Sequence, residues 1–122
     1  MEGRIMVVDD VPGVLKLTKR VLESEGFQVI TADSGQKALK KLRKKEVDLA
    51  LIDVFMPKMD GRELIEKIRD DPSLKDLRIA LLTIAKSWEV EKDKLEKLGV
   101  QDFIQKPFDN KDLIQRVRNL LN

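Results

Sequence analysis

Five side chains capable of ionic or nucleophilic chemistry stand at the ends of short apolar runs. Asp9 and Asp10 follow the run Ile5 to Val8, Asp53 follows Val47 to Ile52, Thr83 closes Arg78 to Thr83, and Lys106 follows Gln101 to Gln105. Singly, each is ordinary: Asp caps helices, Thr suits strands, and a Lys after a strand is usually solvated. Together at one crevice they are not, because clustered like charges need a compensating cation or proton. With no His and no Cys in the chain, the three carboxylates make an oxygen-only donor set. Such a set suits a hard cation that keeps several waters, Mg2+ first and Mn2+ as the alternative. A carboxylate beside that ion, with a Lys opposite, neutralises the oxygens of an incoming phosphoryl group during in-line transfer. The carboxylate then becomes an acyl phosphate, a recognised form of nucleophilic catalysis.

The elements that would bring these residues together follow from periodicity. Short β-branched runs, among them Phe27 to Thr31, alternate with longer amphipathic segments, and five such pairs predict an α/β domain with a parallel sheet. Ligands of open α/β sheets bind in the crevice beyond the carboxyl ends of the strands, where all five residues fall. The spacing predicts a first helix over Val14 to Glu25, with Val14, Leu17, Val21 and Leu22 inward and Gly26 as its stop. A second helix, Ser34 to Lys45, turns Ala38, Leu39 and Leu42 inward and crowds lysines on its solvated face. The third, Arg62 to Asp70, buries Leu64, Ile65 and Ile68 and ends before Pro72, since the residue preceding a proline avoids helical geometry. A fourth, Ser87 to Leu98, has only a thin apolar stripe of Trp88, Val90, Leu95 and Leu98. The last begins at Asp109 as N-cap and carries Leu113, Ile114, Val117, Leu120 and Leu121 inward.

Composition bounds what such a chain can do. Its 122 residues match one domain, 1–122, with one respectable core, and a composition 42% hydrophobic and 38% charged argues against disorder. With 24 basic and 22 acidic side chains the balance is +2, too small to indicate nucleic-acid or membrane binding from bulk charge. The absence of Cys and His excludes disulfides, thiolate chemistry, Ser-His-Asp catalysis and histidine-ligated zinc. The N-terminal segment lacks the long hydrophobic stretch of a signal peptide or membrane helix, so the expected setting is cytoplasmic.

Asp9-Asp10, the stretch Asp53-Val54-Phe55-Met56-Pro57-Lys58-Met59-Asp60-Gly61, Thr83 and Lys106-Pro107 together resemble the receiver domain of two-component response regulators, over essentially the whole chain. That resemblance implies a flavodoxin-like, doubly wound, five-stranded parallel sheet of order 2-1-3-4-5 with five helices. It implies that Asp53 accepts a phosphoryl group from a histidine kinase or phosphotransfer protein. Asp10, Asp53 and the Phe55 backbone carbonyl would bind Mg2+ directly, and Asp9 through water. Lys106 would contact the phosphoryl group, with its bond to Pro107 cis, a geometry tolerated mainly before proline. Thr83 would turn its hydroxyl onto a phosphoryl oxygen, and Phe103 would turn inward with it, coupling the site to the surface around the fourth helix and fifth strand. Without the resemblance, Phe103 reads as core packing, and Trp88 is equally an edge of the core or a partner surface.

Ile84, Phe55 and Ala85 depart from the resemblance. A branched Ile84 would narrow the route to Asp53, while Phe55 and Ala85 offer no hydrogen bond to an attacking water, so slow self-dephosphorylation is expected. The expected output is binding of a downstream target protein, with no direct contact to nucleic acid or membrane, by a monomer or a phosphorylation-linked dimer. A conventional turnover enzyme is not expected. Alternatives are a receiver cut from a larger hybrid kinase or regulator, and a Mg2+-dependent phosphatase using an aspartyl phosphate. The phosphatase lacks its usual second acid, because Phe55 stands two residues after Asp53.

Overall fold

The computed structural model describes residues 3–84 and 92–122. Strands β1 (Arg4–Val8), β2 (Gln28–Ala32), β3 (Leu49–Asp53), β4 (Arg78–Ile84) and β5 (Val100–Lys106) alternate with helices α1 (Pro12–Glu23), α2 (Gly35–Lys44), α3 (Gly61–Asp70), α4 (Lys92–Lys97) and α5 (Asn110–Leu121). The five strands form one sheet of order β2-β1-β3-β4-β5, parallel throughout, as the flavodoxin-like expectation had it. Ile5 to Val8 and Leu49 to Ile52 are fully buried, because β1 and β3 lie inside the sheet with helices over both faces. Central parallel strands for that reason read as continuous apolar runs rather than alternating ones.

The sheet divides the core of the domain into two layers. Ala38, Leu39 and Leu42 of α2, Leu64, Ile65 and Ile68 of α3, and Leu95 of α4 pack on one face. Leu15 and Leu22 of α1 with Leu113 and Val117 of α5 pack on the other. Three helices begin on side-chain caps: Ser34 accepts from the Lys37 N–H (3.2 Å), Asp60 from Glu63 (2.9 Å) and Asp109 from Asp112 (3.3 Å). Each satisfies an amide that the helix itself leaves without a partner. Helix α1 has no side-chain cap and begins instead on Pro12, whose missing N–H costs nothing in the first turn. Gly26, after its end, adopts φ 94°.

Leu17 is a correction. Expected inward, it is 54% exposed, while Leu15, Thr18 and Leu22 form the buried line of α1. Apolar residues occupy two adjacent faces of this helix, and spacing alone could not say that a threonine marks the centre of the buried one. The first half of the expected fourth helix, with Trp88 and Val90, lies outside the described residues; the described part, Lys92–Lys97, buries Leu95. No helix among the described residues is long and apolar enough to cross a membrane.

Candidate functional site

Parallel register decides how close the strand-end side chains come. Val8 lies opposite Ile52, and Asp53 opposite Leu82, so Asp9 and Asp53 emerge from neighbouring strands at almost the same height. Thr83 and Lys106 follow on β4 and β5, where Thr83 lies opposite Gln105 and Ile84 opposite Lys106. Carboxylate oxygens of Asp9, Asp10 and Asp53 all lie within 4.8 Å of one another. Asp9 is fully buried and Asp53 is 5% exposed; Asp10 is the most accessible of the three.

The site partners its charges unevenly. Lys106 Nζ donates to Asp9 Oδ2 and stands 3.7 Å from Asp53 Oδ2. The other Asp9 oxygen accepts the Val11 N–H (2.9 Å), and Asp53 Oδ1 accepts the Phe55 N–H (3.2 Å). Among the described residues, three carboxylates thus face one ammonium. Burial pushes the Asp53 carboxyl above its ordinary value; Lys106 opposes this, Asp9 and Asp10 add to it, and the Phe55 N–H pulls it back. An oxygen-only cluster of this size with surplus negative charge fits a small hard cation, and Asp10 leaves it an open approach.

The loop after β3 is held by its own sequence. Met56 and Met59 are 8% exposed and belong to the core, Lys58 adopts φ 68°, and the Gly61 N–H returns to the Val54 carbonyl (2.9 Å). A Cβ at Gly61 would lie 2.6 Å from the Asp53 carbonyl oxygen and 2.9 Å from Val54 Cα, so only glycine allows this approach. The sequence showed Gly61 only as the end of a motif; its close contact with the Asp53 backbone is a tertiary fact, although the Asp-Gly pair was its signal.

The remaining candidates sort by position. Thr83 is fully buried and its Oγ1 has no hydrogen-bond partner among the described residues. Phe103 is half-buried against the core on the α2, α3 and α4 face. Phe55 is 50% exposed at the mouth of the site. The Lys106–Pro107 peptide is cis. Ala85 and Trp88 lie outside the described residues.

The chain is similar to known proteins along nearly its whole length. The response regulator receiver domain family matches residues 5–118. Over 121 residues the chain is 37% identical to the alkaline phosphatase synthesis transcriptional regulatory protein PhoP of Bacillus subtilis, covering 99% of this chain and 49% of that protein. It is 36% identical to the response regulator PleD of Caulobacter vibrioides, covering 98% of this chain and 26% of that protein. It therefore spans about half the length of the first relative and about a quarter of the second. The solved structure of chemotaxis protein CheY4 of Vibrio cholerae superposes with a TM-score of 0.92 at 26% identity, covering 99% of this chain and 100% of that one. The fold, the strand-end carboxylates and these likenesses agree: the chain belongs to the response regulator receiver domain family of two-component signalling.

Proposed function

We propose that Asp53 accepts a phosphoryl group from a histidine kinase or phosphotransfer protein, and that the modified domain then binds a downstream target. The observation that carries this is the placement of Asp53: a buried carboxylate at the carboxyl end of a central strand, 3.7 Å from an ammonium and within 4.8 Å of two further carboxylates. A carboxylate oxygen of Asp53 forms the new P–O bond as the P–N bond to the donor imidazole breaks, and the imidazole leaves with the electron pair. Asp10, Asp53 and the Phe55 carbonyl would hold Mg2+, with Asp9 acting through water. When bound, the ion supplies positive charge to the phosphoryl oxygens.

Lys106 supplies the opposite positive wall. Before modification its ammonium is held by Asp9, which orients it toward Asp53 without neutralising Asp53 fully. Thr83 brings a buried hydroxyl with no partner among the described residues, and a phosphoryl oxygen is a partner it could gain. Movement of Thr83 toward that oxygen would free volume beside β5 and let Phe103 turn inward, changing the surface around α4 and β5.

Incubation with Mg2+ and a small acyl-phosphate donor, followed by intact-mass measurement, tests the chemistry. Wild type gains one acid-labile phosphoryl group and Asp53→Asn gains none. A wild-type protein that stays unmodified by both the small donor and phosphorylated kinases would sink the proposal. Turnover of a phosphomonoester, lost in Asp53→Asn, would favour the phosphatase reading instead.

A further inference from the structure

Helices α2 and α3 lie side by side on one face of the sheet, and their outer ridges carry opposite charge in the same spacing. On α2 the buried positions are Gly35, Ala38, Leu39 and Leu42, which puts exposed Lys37, Lys40 and Lys44 on the opposite ridge. On α3 the buried positions are Gly61, Leu64, Ile65 and Ile68, which puts exposed Glu63, Glu66 and Asp70 on its ridge. Both rows have the form i, i+3, i+7. The ends are level: Gly35 at the start of α2 packs on Met59 just before α3, and Arg43 near the end of α2 pairs with Asp71 just after α3 (3.2 Å). Lys37 is therefore at the height of Glu63, Lys40 of Glu66, and Lys44 of Asp70.

The basic row has a cost that no acidic residue on its own helix offsets. Opposite charges pair at i, i+4 in α3 (Arg62–Glu66), α4 (Lys92–Glu96) and α5 (Asp112–Arg116). Helix α2 contains no acidic residue, and Lys37–Lys41 and Lys40–Lys44 place like charges at that spacing, which is mildly destabilising. Lys37 reaches back to Asp33 (3.1 Å) and Lys41 donates to the Thr31 carbonyl on the open edge of β2. Lys40 and Lys44 have no ion pair among the described residues. Side chains on the flanks between the two helices are different ones: Arg43 on α2, engaged by Asp71, and Lys67 on α3. The two rows therefore point outward rather than at each other.

We propose that this face is a self-complementary contact between two copies of the chain, related by a two-fold axis lying between α2 and α3 and parallel to them. That rotation lays α2 of one copy over α3 of the other in the same direction and at the same height. Lys37 then meets Glu63, Lys40 meets Glu66, and Lys44 meets Asp70, each twice, as an isologous interface requires. A polynucleotide or anionic membrane is the poorer occupant. The basic row is one helix long, stands beside an equally long acidic row, carries no exposed aromatic side chain, and buries all of its aliphatic side chains in the core. The pairs are exposed, so the association is weak, transient and salt-sensitive.

Sedimentation equilibrium on the full chain over a concentration series, in about 50 mM and about 500 mM salt, tests the proposal. Wild type self-associates at the lower salt and dissociates at the higher. Lys40→Glu and Glu66→Lys each weaken association roughly tenfold, and the two together restore it, because each reversed charge meets the other across the axis. Lys44→Glu with Asp70→Lys repeats the test at an independent pair, and circular dichroism confirms folding throughout. A protein monomeric at every concentration in low salt overturns the proposal. So does a double variant as dissociated as its parents, a dimer indifferent to all four changes, or tighter binding to anionic vesicles or polynucleotide than to itself.

Discussion

Asp53 is held in a position that costs the fold something. Its carboxyl is raised above the ordinary value chiefly by burial, with Asp9 and Asp10 adding to the shift against the pull of Lys106. The unfolded chain therefore releases this proton at lower pH than the folded one, and stability falls as pH rises from the ordinary aspartate value through the raised folded value. Asp53→Asn should accordingly raise the melting temperature in metal-free buffer near neutral pH, since Lys106 keeps Asp9 as its partner. A thermal melt that shows the variant less stable would contradict this. Phe55 poses a different question. It is 50% exposed at the mouth of the site and cannot hydrogen-bond an attacking water, so Phe55→Gln should shorten the lifetime of the phosphorylated form in Mg2+, measured by decay of the labelled protein. An unchanged lifetime would show that the aromatic is not what slows hydrolysis.

At the scale of elements, strand-end Asp and Lys residues were legible because a parallel α/β pattern puts every carboxyl end on one side of the sheet. Helix starts at Ser34 and Asp109 come directly from cap chemistry, whereas α3, capped by Asp60, begins at Gly61 rather than at the expected Arg62. Less legible was the reason for Gly61, whose Cβ would strike the Asp53 carbonyl at 2.6 Å. Gly61→Ala should destabilise the fold by about 1–3 kcal/mol in a denaturant titration. Because the displaced backbone carries Asp53, it should also lower phosphorylation more than a matched surface change such as Lys67→Ala. A neutral Gly61→Ala would mean that the loop relaxes at no cost. Arg69 escaped the sequence entirely. Its guanidinium donates to the carbonyls of Lys75, Leu77, Leu98 and Gly99, tying the end of α3 to two loops that no spacing rule connects.

At the scale of the whole molecule, the three carboxylates gathered with Lys106 among the described residues make stability dependent on cation concentration. A ligand that binds only the native state stabilises by about 2.7 kcal/mol at a hundred times its dissociation constant. Mg2+ should therefore raise the melting temperature of wild type, and raise that of Asp10→Asn much less, in calorimetry. An equal rise in both would place the ion elsewhere. The sequence by itself determined the fold class, because hydrophobic periodicity and cap residues are local signals written every few positions. It also determined which side chains were candidates, because strand ends are where a parallel sheet exposes them. Tertiary structure decided what depends on contact across distant segments. It turned Leu17 to solvent and Thr18 to the core, gave Lys106 to Asp9 before Asp53, left the Thr83 hydroxyl without a partner among the described residues, and set α2 level with α3 so that two charge rows share one face. Register and packing angle fix those relations, and neither is encoded in the spacing of residues along one element.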